Sequence, residues 1–212
     1  MQVTRILAVR HGETAWNRDT RIQGHTDIDL NEHGREQARR LALALRAEPL
    51  AAIYASDLSR ARTTAQAVAD LQGQAVHTHP GLRERGFGRF EGLTWAEIET
   101  QHPEEAQAWR KRHPDFAPTG GESLLQLRER IVNTVQSLAS RHTGDQIMIV
   151  AHGGVLDILY RASTRLDLQA PRTWELPNTA VNRLLWSPEG LSLVGWADTS
   201  HLQDESLDER SA

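Results

Sequence analysis

The chain has 212 residues, with 24 basic side chains against 28 acidic ones and no cysteine. That length predicts one domain, able to bury about 70% of its unfolded surface without a disulfide or metal staple. A net charge of −4 with no run of Lys or Arg excludes a basic nucleic-acid binder, the missing cysteines exclude disulfides, thiolate catalysis and iron–sulfur clusters, and 39% hydrophobic with 25% charged residues excludes whole-chain disorder.

Residues 6–9 form a short apolar run that reads as a buried strand. It meets Arg10 too soon to be the apolar centre of a signal peptide, and no later run approaches the ~18 residues of a membrane span, so a cytoplasmic protein is the simplest expectation. A helix follows, capped by Asn31, with Ala38, Leu41, Ala42 and Leu45 on one face and Pro49 as its stop. Residues 51–55 read as the second strand, 57–71 as a helix with Ala61, Ala65, Val68 and Ala69 inward and Gly73 past its end, and 75–77 as the third strand. The stretch around 85–122 breaks this rhythm with many Gly and Pro. It holds two short helices, one opened by a Thr94 to Glu97 capping box and one near Pro103. It is too short for a domain and reads as a small helical insertion over the active site.

A second capping box, Ser123 to Gln126, opens a long amphipathic helix with Leu127, Ile131, Val135 and Leu138 as its stripe. Residues 147–151 are the next strand and 155–160 a helix. Runs at 181–186 and 191–196 flank a turn and read as a terminal hairpin. Alternating strand and helix predicts an α/β three-layer sandwich: a mostly parallel central sheet with helices on both faces. The expected domain covers 1–198, and 199–212 is a polar C-terminal tail.

Chemistry-bearing residues gather where the strands end. The first strand runs into Arg10-His11-Gly12, the second into Ser56-Asp57-Leu58-Ser59-Arg60, and the run at 147–151 into His152-Gly153-Gly154. Ligands of open α/β sheets bind beyond the carboxyl ends of strands. If these strands are parallel neighbours, Arg10, His11, Arg60 and His152 converge on a pocket for a compact anion, and phosphate suits arginine forks and helix N-termini. Glu84, after the third strand, is a lone carboxylate at the rim of that pocket and fits a proton donor. His77 with His79, and His25 with Asp27 and Asp29, have alternate spacing, but no convergent metal-ligand set emerges and no metal or cofactor is expected. Phe87 and Phe90 are candidates for the pocket wall. No dinucleotide fingerprint, Walker loop or Gly-x-Ser-x-Gly elbow is present.

Arg10-His11-Gly12-Glu13-Thr14 with Trp16-Asn17 resembles the signature of the histidine phosphatase superfamily, the phosphoglycerate-mutase-like proteins. Further blocks match in order: Gln23-Gly24, Ser56-Asp57-Leu58-Ser59-Arg60-Ala61, Leu82-Arg83-Glu84 with Glu91-Gly92-Leu93, Gly121-Glu122-Ser123-Leu124, and His152-Gly153-Gly154. The resemblance spans about 3–198 and implies a metal-independent phosphatase acting on a small phosphorylated metabolite through a phosphohistidine. It implies His11 as nucleophile, Arg10, Arg60 and His152 as holders of the phosphoryl oxygens, and Glu84 as proton donor and then base toward water. It further implies phosphate contacts from Asn17, Gln23, Gly24 and Gly153. Two alternatives stay open: a cofactor-dependent phosphoglycerate mutase, and a non-catalytic phosphate-binding or sensory module. The resembling mutases carry a longer insertion between the Glu84 and Glu122 blocks and typically Asn at the position of Gly154. No nucleic-acid or membrane partner is expected, and a monomer or homodimer fits equally.

Overall fold

A computed structural model describes residues 3–203. The chain runs β1 (Thr4–Arg10), α1 (Ala15–Arg18), α2 (Glu32–Leu45), β2 (Ala52–Ala55), α3 (Ser59–Gln72), β3 (Val76–Thr78), α4 (Trp95–Gln101), α5 (Pro103–Arg110), α6 (Leu124–Ala139), β4 (Gln146–Ala151), α7 (Gly153–Thr164), β5 (Val181–Ser187) and β6 (Gly190–Asp198). One sheet takes all six strands in the order β3-β2-β4-β1-β5-β6. β1 to β4 are mutually parallel, while β5 joins β1 antiparallel and β6 joins β5 antiparallel.

Period-two alternation explains the three layers. In β1, Ile6 and Ala8 face one side and Leu7 and Val9 the other; in β4, Ile147, Ile149 and Ala151 alternate with Met148 and Val150. α6 and α7 cover the first face, with Leu127, Ile131, Val135, Val155 and Leu159. α2 and α3 cover the second, with Leu41, Leu45, Ala61, Ala65 and Val68. Central strands with both faces covered must be apolar throughout, which is why these runs show no polar alternation. Each fully buried Ile or Val contributes about 1.5–3 kcal/mol relative to exposure.

The caps read from sequence form as hydrogen bonds: Asn31 to Gly34, Thr94 with Glu97, and Ser123 with Gln126. Several boundaries differ from expectation. α2 stops at Leu45, before Pro49 is reached, and α3 starts at Ser59, because Asp57 is held outside the helix by Arg83. α7 is longer than 155–160 and begins directly after His152. α1 was not expected from sequence; a Thr14 and Asn17 capping box nucleates it, with Asn in the place usually held by Glu or Gln.

The 85–122 stretch packs its own small cluster, in which Phe90, Ile98 and Ala106 meet Ile22, Phe87, Trp95 and Trp109. The backbone bridge from Arg21 to Thr94 ties it to the body, and the bridge from Phe87 to Gly121 draws its two ends together. Within the expected tail, Ser200–Leu202 form a 3-10 turn whose Leu202 carbonyl accepts from Arg40, and residues 204–212 lie outside the described residues.

Candidate active site

Register places the site. Arg10 of β1 lies opposite Ala151 of β4, and the His11 N–H donates to the Ala151 carbonyl at 3.0 Å. The Ser56 N–H donates to the Val150 carbonyl at 3.0 Å, so the carboxyl ends of β1, β2 and β4 finish level. The chain leaves β1 toward α2 on one face and leaves β4 for α7 on the other, which opens a crevice between adjacent strands.

His11 sits in that crevice, 3% exposed. Its Nδ1 lies 2.7 Å from the Gly12 carbonyl, which can only accept, so Nδ1 carries the ring proton and the lone pair lies on Nε2. The carbonyl of His11 accepts from Asn178 Nδ2 at 2.8 Å, and the Gly12 N–H donates to the Thr64 hydroxyl at 3.0 Å. The His152 ring stands 5.1 Å from the His11 ring, and its side chain is wholly buried. Neither ring nitrogen of His152 has a hydrogen-bond partner among the described residues, and the same holds for Arg10 Nε and Arg60 Nε. Arg60 is wholly buried and donates Nη1 to the Thr26 carbonyl and Nη2 to the Gly24 carbonyl; Arg10 donates Nη1 to the Leu176 carbonyl. Buried donors without partners are costly, so a cluster of them marks a place built for a ligand that accepts.

Burial holds both His11 and His152 well below the usual imidazole range, and the positive charges of Arg60 and Arg10 push the same way. Both rings are therefore neutral near pH 7. Burial likewise lowers Arg10 and Arg60, with the charge of Glu84 working against it.

The Glu84 carboxylate caps the start of α7. The Gly154 N–H donates to its two oxygens at 3.1 and 3.0 Å, and the Arg85 N–H donates to Oε1 at 2.7 Å. A Cβ at 154 would come within 2.2 Å of Glu84 Oε1, so a side chain there would force the carboxylate to shift from its seat on the α7 N-terminus. Arg130 of α6 braces the segment before it, donating to the carbonyls of Gly81, Arg83 and Glu84 while its fork grips Glu122 at 2.8 and 2.6 Å. His25 Nε2 lies 2.8 Å from the Glu84 carbonyl, so His25 braces this loop from the opposite side.

The structure thus brings His11, Arg10, Arg60, His152 and Glu84 around one crevice. Asn17 and Gln23 flank it through Thr14: its N–H donates to Asn17 Oδ1 at 3.1 Å, and its hydroxyl lies 3.0 Å from Gln23 Oε1. Among the described residues, the amide NH2 groups of Asn17 and Gln23 meet no acceptor and can donate. Gly24 has a left-handed backbone (φ +54°) pressed against Glu91, and its carbonyl orients Arg60. Gly153 lies beside Arg10 Nε and Glu84 Oε2, each 3.8 Å from where its Cβ would stand.

A cavity of about 360 Å³ opens next to Arg10, Gly153 and Gly154, walled by Phe87, Trp109, Arg85, Arg112 and Arg172. Phe87 lines it as expected, but Phe90 does not: it is fully buried in the insertion's own cluster, where His102 and Trp109 pack on its ring. Sequence reasoning missed Arg85, Asn178 and the 165–180 loop. Their alignment with the site depends on contacts far apart in the chain, and no local pattern marks them. Of the two arginines flanking Glu84, Arg83 forms a surface fork with Asp57 at 2.8 and 2.6 Å, whereas Arg85 is buried against Trp109.

The neutral, buried histidines make stability depend on acid. As pH falls through the unfolded imidazole value near 6.5, the unfolded chain takes up protons that folded His11 and His152 do not. Stability therefore falls with pH below that point, by up to about 1.4 kcal/mol per pH unit for each ring. Urea midpoints compared between about pH 7 and 5.5 should drop for the wild type and drop less for His152→Gln. Equal slopes would mean that His152 takes a proton in the folded state.

Comparison with known proteins agrees with this geometry. A family model described as the histidine phosphatase superfamily (branch 1) matches residues 6–199. Phosphoglycerate mutase-like protein 4 of Arabidopsis thaliana is 39% identical over 203 residues, covering 94% of this chain and 87% of that protein. Metal-independent phosphoserine phosphatase of Arabidopsis thaliana is 39% identical over 204 residues, covering 95% and 84% respectively. The solved structure of Bacillus stearothermophilus YhfR superposes with a TM-score of 0.88 at 34% identity, covering 94% of this chain and all of that one.

Proposed function

The chain belongs to the histidine phosphatase superfamily, and from that premise we propose that it hydrolyses a small phosphorylated metabolite through a phosphohistidine at His11. One observation carries the proposal: the Gly12 carbonyl holds the ring proton on Nδ1, so a bare Nε2 faces a crevice of buried donors without partners.

In the first step His11 Nε2 attacks phosphorus and the bond to the leaving oxygen breaks. Glu84 gives that oxygen its proton, and the phosphoryl group passes to His11. In the second step Glu84 takes a proton from water, whose oxygen attacks the phosphohistidine and releases inorganic phosphate. A covalent intermediate divides one difficult displacement into two easier ones. Arg10, Arg60 and His152 hold the three phosphoryl oxygens through both steps, and the free amides of Asn17 and Gln23 add donors. The backbone N–H groups at the start of α7, Gly153 among them, add positive potential at the same point. The setting we propose is the cytoplasm, with the protein as a monomer or homodimer.

The mutase reading rests on a specific likeness, the mutase-like relative at 39% identity. Two features favour water as acceptor. Residues 85–121 give an insertion of only 37 residues between Glu84 and Glu122, leaving less chain to close the site. Gly154 leaves room for Glu84 directly on the α7 N-terminus. The deciding experiment supplies 3-phosphoglycerate with a 2,3-bisphosphoglycerate primer and follows 2-phosphoglycerate and free phosphate together, beside a panel of other phosphate esters. Release of phosphate from some ester faster than isomerisation is expected. Isomerisation that outruns every hydrolysis would make the protein a mutase, and no turnover of any kind would make it a binding module.

Turnover should also survive chelators. The crevice presents guanidinium and imidazole donors, a set that attracts anions and repels Mg²⁺, and it already supplies the charge neutralisation a metal gives elsewhere. Loss of activity in EDTA, restored by a divalent ion, would contradict this mechanism.

A further inference from the structure

The cavity beyond Glu84 carries more positive charge than one phosphoryl group uses. Past Arg10, its wall holds Arg85, Arg112 and Arg172 together with Phe87 and Trp109. The carboxylate of that wall, Asp157, is already shared by Arg161 at 2.9 Å and Arg112 at 3.3 Å. Arg85 is 5% exposed, donates to the neutral carbonyls of Glu122 and Phe116, and lies 4.4 Å from the Trp109 ring centre. Burial pushes it down to about 10.

Arg172 differs from its neighbours. It is exposed, and among the described residues it has no hydrogen bond or ion pair, yet its charge acts on both Arg10 and Arg112. Its loop is pinned to the site itself: Arg10 donates to the Leu176 carbonyl, Asn178 donates to the His11 carbonyl at 2.8 Å, and the Thr179 N–H donates to the Arg10 carbonyl at 2.9 Å. An exposed, unpaired Arg is ordinary by itself. Here it is added to a wall already rich in cations, where Glu84, Glu122 and Asp157 offset the charge of Arg10, Arg85 and Arg112 in part, and an incoming anion at the mouth relieves the like-charge repulsion that Arg172 adds.

We infer that the leaving group of the substrate carries a second negative charge, recognised by Arg172 at the cavity mouth with Arg112 and Arg85 behind it, while Phe87 and Trp109 pack against its short carbon chain. This rests on the reading of the crevice as a phosphoryl site. Arg172 is then a specificity residue outside the phosphoryl-transfer machinery. It separates substrates by the charge of the part that leaves.

The test uses ligands that cannot turn over. Straight-chain alkylphosphonates ending in a carboxylate, such as 3-phosphonopropionate, are compared by calorimetry with methyl-ended partners such as propylphosphonate. The wild type should prefer the carboxylate ligand by roughly tenfold, and Arg172→Gln should bring that ratio down to about twofold. Arg172→Lys, which keeps the charge and loses the fork, should retain most of the preference. No preference in the wild type, or an equal loss for both ligands in Arg172→Gln, overturns the inference. The two readings fail separately. If no phosphate ester turns over while the phosphonate ratio behaves as stated, the phosphatase reading falls and the second-anion site stands.

Discussion

His11→Ala is expected to reduce turnover by about 10⁴ or more, because it removes the proposed acceptor of the phosphoryl group and forces direct attack by water. The donors that hold the phosphoryl oxygens remain, so phosphate and phosphonates should still bind. The fold should survive, since among the described residues the His11 side chain hydrogen-bonds only to its neighbour's carbonyl at Gly12. Removing a buried imidazole also removes its share of the acid sensitivity, which provides an independent check that the variant is folded. In the wild type, brief exposure to substrate followed by a base quench should trap phosphate on the peptide containing His11, and an acid quench should lose it. Substantial turnover by the variant, or phosphate found on a serine, would refute the mechanism.

Glu84→Gln should cost roughly 10²–10⁴ in rate with an alkyl phosphate, whose leaving oxygen needs a proton. The substitution is nearly isosteric. The amide oxygen can still accept from the Gly154 and Arg85 N–H groups, so the loss reports proton transfer more than geometry. With 4-nitrophenyl phosphate the leaving group departs as a stable anion, and phosphorylation of His11 should be spared. Hydrolysis of the phosphohistidine still needs a base for water, so a burst of nitrophenolate followed by slow turnover is expected. An equal loss in the burst phase for both leaving groups would show that Glu84 only positions the α7 N-terminus and neighbouring backbone.

Much of this molecule was legible in one dimension, for physical reasons that are local. Residues 6–9 of β1 and 147–151 of β4 are apolar because both faces are covered, and the alternation of such runs with helical patterns predicts a mostly parallel sheet between helix layers. Asn31, Thr94 and Ser123 announce helix starts through hydrogen bonds that span three residues. His11, Arg60 and His152 stand directly after, or within the first helical turn after, a strand end, where an open α/β sheet binds its ligands.

What tertiary structure alone decided is everything that depends on distant segments meeting. Composition cannot tell that Arg85 is buried while Arg83, two residues away, forks to Asp57 on the surface, since the difference lies in where Trp109 and the Glu122 and Phe116 carbonyls fall. Nor can it tell that Phe87 lines a cavity and Phe90 fills a core. The tautomer of His11 follows from the fold of the Gly12 carbonyl back onto Nδ1. Asn178, Leu176 and Arg172 come to the site from more than 160 residues along the chain, because β5 lies beside β1 and its preceding loop must cross the end of that strand. Local hydrogen bonds and hydrophobic period were sufficient to identify most of the elements, and the motif blocks at the strand ends singled out the candidate site residues. The protonation of His11 and the charge of the pocket wall depend on burial and approach across the sheet, which no spacing along the chain encodes.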